Sequence, residues 1–159
     1  MDFKKIIEQL ENSEIFKEWK QKHKDYYLAH FFMIPEDNPS WQIGFSDGEK
    51  VTTFTLDPIK YEEHNEINKN PNSKINPLDI TDFKYDFKDI KNTFEKTISK
   101  KYPKENIFKT IIIIQNIDGN NLYNITGLTH SFKTLNIKIN NNCEIISDSL
   151  IELISKNNN

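Results

Sequence analysis

The 159-residue sequence predicts an α+β protein made of two tandem units, each a helix followed by a three-stranded antiparallel meander. Three observations carry that expectation. Apolar residues recur at helical spacing in two separate stretches, residues 3–19 and 87–102. Each stretch is followed by short runs that alternate apolar and polar side chains, the rhythm of strands with one buried face. The two series also correspond. Trp41, Gln42 and Ile43 align with Tyr123, Asn124 and Ile125, and Phe54, Leu56 and Asp57 align with Ile137, Ile139 and Asn140 after a one-residue shift in the turn.

In the first unit, Phe3, Ile6, Ile7 and Leu10 form one apolar stripe, which Ile15, Phe16 and Trp19 resume after "ENS". Ser13 is placed to cap a second helical piece, so a break is expected near Asn12. The lysines of "KEWKQKHK" gather toward the helix end, where they complement the macrodipole or offer an anion patch. "YYLAHFFMI" then reads as a strand, and "WQIGFS" alternates Trp41, Ile43 and Phe45 against Gln42, Gly44 and Ser46. "DGEK" supplies a turn with Gly48 free to take a positive φ. "VTTFTLD" follows, with Thr52, Phe54 and Leu56 on one face and Val51, Thr53 and Thr55 on the other.

Residues 59–78 hold two prolines and several Asn without a sustained period, and read as a linker. The second unit spans 79–159, the first 1–58, the whole forming one globular protein. Phe87, Ile90, Phe94 and Ile98 mark its helix, with Asp86 as cap and Pro103 as stop. "IFKTIIIIQ", "LYNITGLT" and "FKTLNIKIN" are its strands, and "SDSLIELIS" is expected to close the chain as a short helix. The "TIIIIQ" run belongs in a central strand, because both of its faces are apolar and an exposed edge there would invite aggregation.

The last meander strand, "LNIKINNNCEI" at Leu135–Ile145, resembles the closing "V-x-I-D-x-x-x-G-E-V" strand of the PepSY and PepSY-like families. The resemblance covers roughly residues 86–146 and, less fully, 13–57. Asn140 stands where the family favours Asp, Cys143 falls near its Gly, and the turn is one residue shorter. The tandem build is also similar to the β-lactamase-inhibitor type of architecture, whose uncovered sheet face binds a protein. These resemblances imply an inhibitor-like or regulatory role and supply no catalytic residues.

Composition narrows the function classes. A 36% hydrophobic fraction with 11 Phe, 6 Tyr and 2 Trp supports a packed core. All 21 basic residues are Lys, and with the abundance of Asn and Ile this composition points to an AT-rich genome. The net charge of -3 and the lack of Arg argue against nucleic acid, since no bidentate phosphate or guanine contact is available. Cys143 is the only cysteine, which excludes an internal disulfide. The N-terminal stretch has no apolar block of signal-peptide length and no apolar run spans a bilayer, so a cytoplasmic protein without membrane contact is expected.

No catalytic signature is present. His23, His30, His64 and His130 have no metal-ligand spacing, and the four glycines form no phosphate-binding or nucleophile motif. "DGNN" from Asp118 is a turn, since the later glutamate of a calcium loop is missing. Neither an enzyme nor a cofactor or metal is expected. What the strands offer is a polar sheet face: Gln42, Thr53 and Thr55 in the first unit, and Asn124, Thr126, Thr134, Asn136 and Lys138 in the second. The expected function is a non-catalytic, protein-binding module using that face or a sheet edge. The alternatives are a single-stranded nucleic-acid-binding protein, for which aromatics on a sheet would stack bases, and a small hydrolase using Cys143 with a distant His.

Overall fold

The computed structural model describes residues 3–64 and 74–153. Helix α1 (Phe3–Glu11) and helix α2 (Glu14–Lys22) are separated at the expected break. Ser13 caps α2, its Oγ accepting from the Phe16 N–H at 3.1 Å and donating to the Leu10 carbonyl at 2.7 Å. One serine thus serves both helix ends at the bend. Lys20 and Lys22 occupy the last turn, where the helix dipole favours cations.

Four strands follow: β1 (Tyr27–Ile34), β2 (Asn38–Ser46), β3 (Val51–Leu56) and β4 (Ile59–His64). After a 3-10 turn at Ile80–Asp82 come helix α3 (Phe87–Lys101) and four more strands. These are β5 (Ile107–Ile117), β6 (Asn120–Thr129), β7 (Lys133–Asn140) and β8 (Ile145–Glu152). All eight join one antiparallel sheet in the order β4-β3-β2-β1-β5-β6-β7-β8. The apolar run of β5 lies in the middle, paired with β1 through His30–Gln115, Phe31–Ile114, Phe32–Ile113 and Met33–Ile112.

The class is α+β, but the expected architecture of two helix-plus-three-strand units is overturned by this single eight-stranded sheet. The β1–β5 pairing joins the two halves into one sheet, and two further segments add a strand at each edge. Residues 59–64, expected at the start of a linker, form edge strand β4, with only Ile59 of the strand partly buried. The remainder of that linker includes residues 65–73, which lie outside the described residues. Over residues 147–152 the expected C-terminal helix is instead strand β8, zipped to β7 from Lys133–Glu152 to Ile139–Ile145, and the end of that expected helix, 154–155, lies outside the described residues. Its SDSLIEL segment carries apolar residues at a spacing compatible with a helix. The unpaired backbone of β7 decides for a strand, because each pairing satisfies polar groups that a helix would leave open.

One face of the sheet carries the core. Phe31, Ile43, Phe54, Ile112, Ile114, Ile125 and Ile137 project there and pack against Leu10, Phe16 and Trp19 of α1 and α2 and against Ile90 and Phe94 of α3. Aromatic edges interlock within it: Trp19 meets Phe54 edge-on with ring centroids 5.0 Å apart, and Phe16 lies 5.1 Å from Phe45. Each such fully buried ring contributes about 1.5–3 kcal/mol of transfer free energy. The hairpin between β5 and β6 turns at Asp118 and Gly119, both at positive φ, the twist that matches two antiparallel strands.

Candidate functional site

Strand alternation sends every second residue to the face opposite the helices. The register places all eight of the polar residues singled out in the sequence on that open face. Thr53 lies between Gly44 and Glu62, Thr55 opposite Lys60, and Gln42 opposite Phe32. In the other half, Asn124 lies between Ile113 and Lys138, Thr126 between Ile111 and Asn136, and Thr134 between Leu128 and Ile151. Asn136 and Lys138 face Ser149 and Ser147 of β8. All eight side chains are half-buried.

They form two wings rather than one cluster. In the second wing the Asn136 amide donates to Asn124 Oδ1 at 2.7 Å and to Thr126 Oγ1 at 2.9 Å, a cross-strand network that fixes its orientation. In the first wing, Gln42, Thr53 and Thr55 line a groove of about 410 Å3 with Lys60, Glu62 and His64. Between the wings run β1 and β5, whose open-face side chains include Phe32, Ile111 and Ile113. The Phe32–Ile113 pair sits at the centre of the face. Those central residues were not singled out from sequence. The signal was present in "TIIIIQ", since a run apolar on both faces puts apolar groups on the side away from the helices as well.

His30 lies beside this centre, its imidazole flat over Gly44. A Cβ on Gly44 would stand 2.1 Å from His30 Cε1, so only glycine leaves room for the ring. Burial, and then the nearby His64, lowers the His30 pKa to about 4, which keeps the ring neutral. A cavity of about 790 Å3 opens next to it, bounded by Val51, Gln115 and the Lys74–Asn76 segment. Cys143 is on the helix side, in the β7–β8 turn, where its Sγ lies 3.0 Å from Thr93 Oγ1 and 3.7 Å from the Asp89 carbonyl. The structure therefore does not bring Cys143 and His30 together. His23 stacks on Trp19 at 4.7 Å, and His130 tilts against Phe108 at 4.9 Å. Among the described residues, no group of three or more His, Cys, Asp or Glu is placed to hold a metal.

No protein-family model matches the chain, and no curated protein matches it in sequence. A solved structure described as a "putative lipoprotein" from Clostridium difficile 630 is similar in fold, with a TM-score of 0.51 at 11% identity, covering 84% of this chain and 88% of that one. At that identity the likeness concerns the fold alone. It overturns the expectation of a cytoplasmic protein: a fold shared with a protein described as a lipoprotein is no mark of the cytoplasm, and that expectation is withdrawn. No helix among the described residues is long and apolar enough to cross a membrane.

Proposed function

We propose that the chain is a non-catalytic protein-binding module, inhibitor-like or regulatory, that receives its partner on the open sheet face. The observation that carries this reading is the composition of that face: Phe32 and Ile113 at the centre, with Gln42, Thr53 and Thr55 on one side and Asn124, Thr126, Asn136 and Lys138 on the other. An apolar centre within a polar rim, here uncharged except for Lys138, is the anatomy of a protein–protein interface. Residues 1–58 and 79–159 each contribute one wing, so a partner spanning both engages the whole chain. The PepSY-like stretch at Leu135–Ile145, which runs from β7 through its turn to the start of β8, supports the same reading, since that resemblance implies a restraining role toward a protein. The absence of Arg and the net charge of -3 weigh against nucleic acid.

Affinity capture from the native host tests the proposal. Thr53→Lys, Thr55→Lys, Thr126→Lys and Asn136→Lys together place four positive charges on the face, of which only the one at 53 has a carboxylate, Glu62, opposite it; an unpaired one costs several kcal/mol if buried against a partner. Capture should be abolished while the chain stays folded, its melt lowered only by the loss of the Asn136 bonds to Asn124 and Thr126. Capture that survives the four charges would sink the proposal.

A further inference from the structure

We infer that β8 pairs with β8 of a second copy of this chain, antiparallel about a two-fold axis, joining two sheets into one. The sheet has two edges, and a strand edge presents unpaired N–H and C=O groups that template another strand. The two edges differ. β4 is blunted by Lys60, Glu62 and Glu63, all exposed. β8 has neither Lys nor Pro, and it leaves Ile146 57% and Ile151 59% exposed, with Leu153 58% exposed just beyond it. Its one central charge is already held, because Asp148 turns back to α3, where it accepts from Lys101 Nζ at 2.6 Å and from the Tyr102 hydroxyl. The Leu153 N–H donates to the Phe132 carbonyl at 2.9 Å, so β8 is tied down along its length and at its end. A fixed, partly apolar edge whose central carboxylate is already paired, with Glu152 its one exposed charge, is open to strand addition.

The sequence of β8 complements itself. A two-fold axis perpendicular to the sheet sets residues of the same face opposite one another. With Ser149 on the axis, Ser147 faces Ile151 and Asp148 faces Leu150. The neighbouring registers set Asp148 against itself or against Glu152, and like charges directly opposite are destabilising. In the same register Ile146, at the bulge between Ile145 and Ser147, lies beside Glu152 of the other copy, and the exposed Ile151 lies against Ser147. The helices stay on one side and the open faces of both copies run on as one surface, so this pairing does not depend on what that surface binds.

Light scattering on the full chain, with no partner present, reads the outcome. We expect twice the 18.8 kDa of a single chain at high micromolar concentration, falling to one chain on dilution. Ser149→Lys sets like charges face to face on the axis and should give single chains at all concentrations with an unchanged melt, since Ser149 is exposed. In a Cys143→Ser background, Ser149→Cys should cross-link to dimer with a short bismaleimide, whereas Glu62→Cys on the β4 edge should not. A single-chain mass for the unaltered protein at every concentration, a dimer indifferent to Ser149→Lys, or cross-linking through Glu62→Cys would each overturn the inference.

Discussion

His30 makes the stability of the fold depend on pH in a calculable way. Burial, followed by His64, lowers its folded pKa from 6.5 to about 4. Between those values the unfolded chain binds a proton that the folded protein does not, so stability rises with pH across that window. The contribution is full above about pH 6.5 and is lost progressively as pH falls toward 4. At 1.36 kcal/mol per pKa unit the loss totals about 3 kcal/mol, of which about 2.5 kcal/mol is gone by pH 4.5. Carboxylates also titrate: Asp148, held low by its bonds from Lys101 and Tyr102, and Glu105, held low by Lys133 and Ser131, keep their contribution until pH falls through their lowered values. Their effect comes at lower pH and is common to any His30 variant. Urea unfolding of the unaltered chain and of His30→Gln at pH 7 and pH 4.5 isolates the contribution of the histidine. The unaltered chain should lose about 2.5 kcal/mol more than the variant between the two conditions. Equal losses would refute the assignment of a half-buried, neutral imidazole over Gly44.

Other consequences concern the core and the bend. Phe54 is fully buried against Trp19, Phe16 and Phe45, so Phe54→Ala should cost about 3–5 kcal/mol in denaturant unfolding. The Tyr123 hydroxyl is buried without a hydrogen-bond partner among the described residues, and burial raises its pKa. Tyr123→Phe should therefore raise the melting temperature, by an amount equivalent to about 1 kcal/mol; a loss of stability would reveal a bond to that hydroxyl. Ser13→Ala removes the cap of α2 and should cost about 1 kcal/mol, recoverable largely with Ser13→Asp.

The parts of the fold legible in the sequence are those where one physical signal dominates. Ser13 marks the α1–α2 bend because a short hydroxyl between two apolar stripes has one structural use there. Trp41, Ile43 and Phe45 set the core face of β2 through their alternation with Gln42, Gly44 and Ser46. The errors fall on the two edges. β4 has only a short alternation to read, Ile59 and Tyr61 against Lys60 and Glu62, in which Ile59 alone is partly buried, while Lys60, Glu62 and Glu63 keep it from further pairing. β8 mimics a helix locally and becomes a strand only through β7, a contact that sequence spacing does not encode. The candidate face was legible in its polar wings, since Thr53 and Asn136 alternate with core residues. Its centre was not, because Phe32 and Ile113 are indistinguishable from core until the helices are placed on one side.

Cross-saturation between the captured partner and isoleucine methyl groups of this chain tests the central claim most directly. Ile111 and Ile113 point to the open face, Ile112 and Ile114 to the core, and Ile15 lies 42% exposed on α2. Binding on the sheet face predicts saturation of the Ile113 and Ile111 methyls, with Ile15 left untouched. Saturation of Ile15 with Ile111 and Ile113 unaffected would place the partner on the helices and contradict the account.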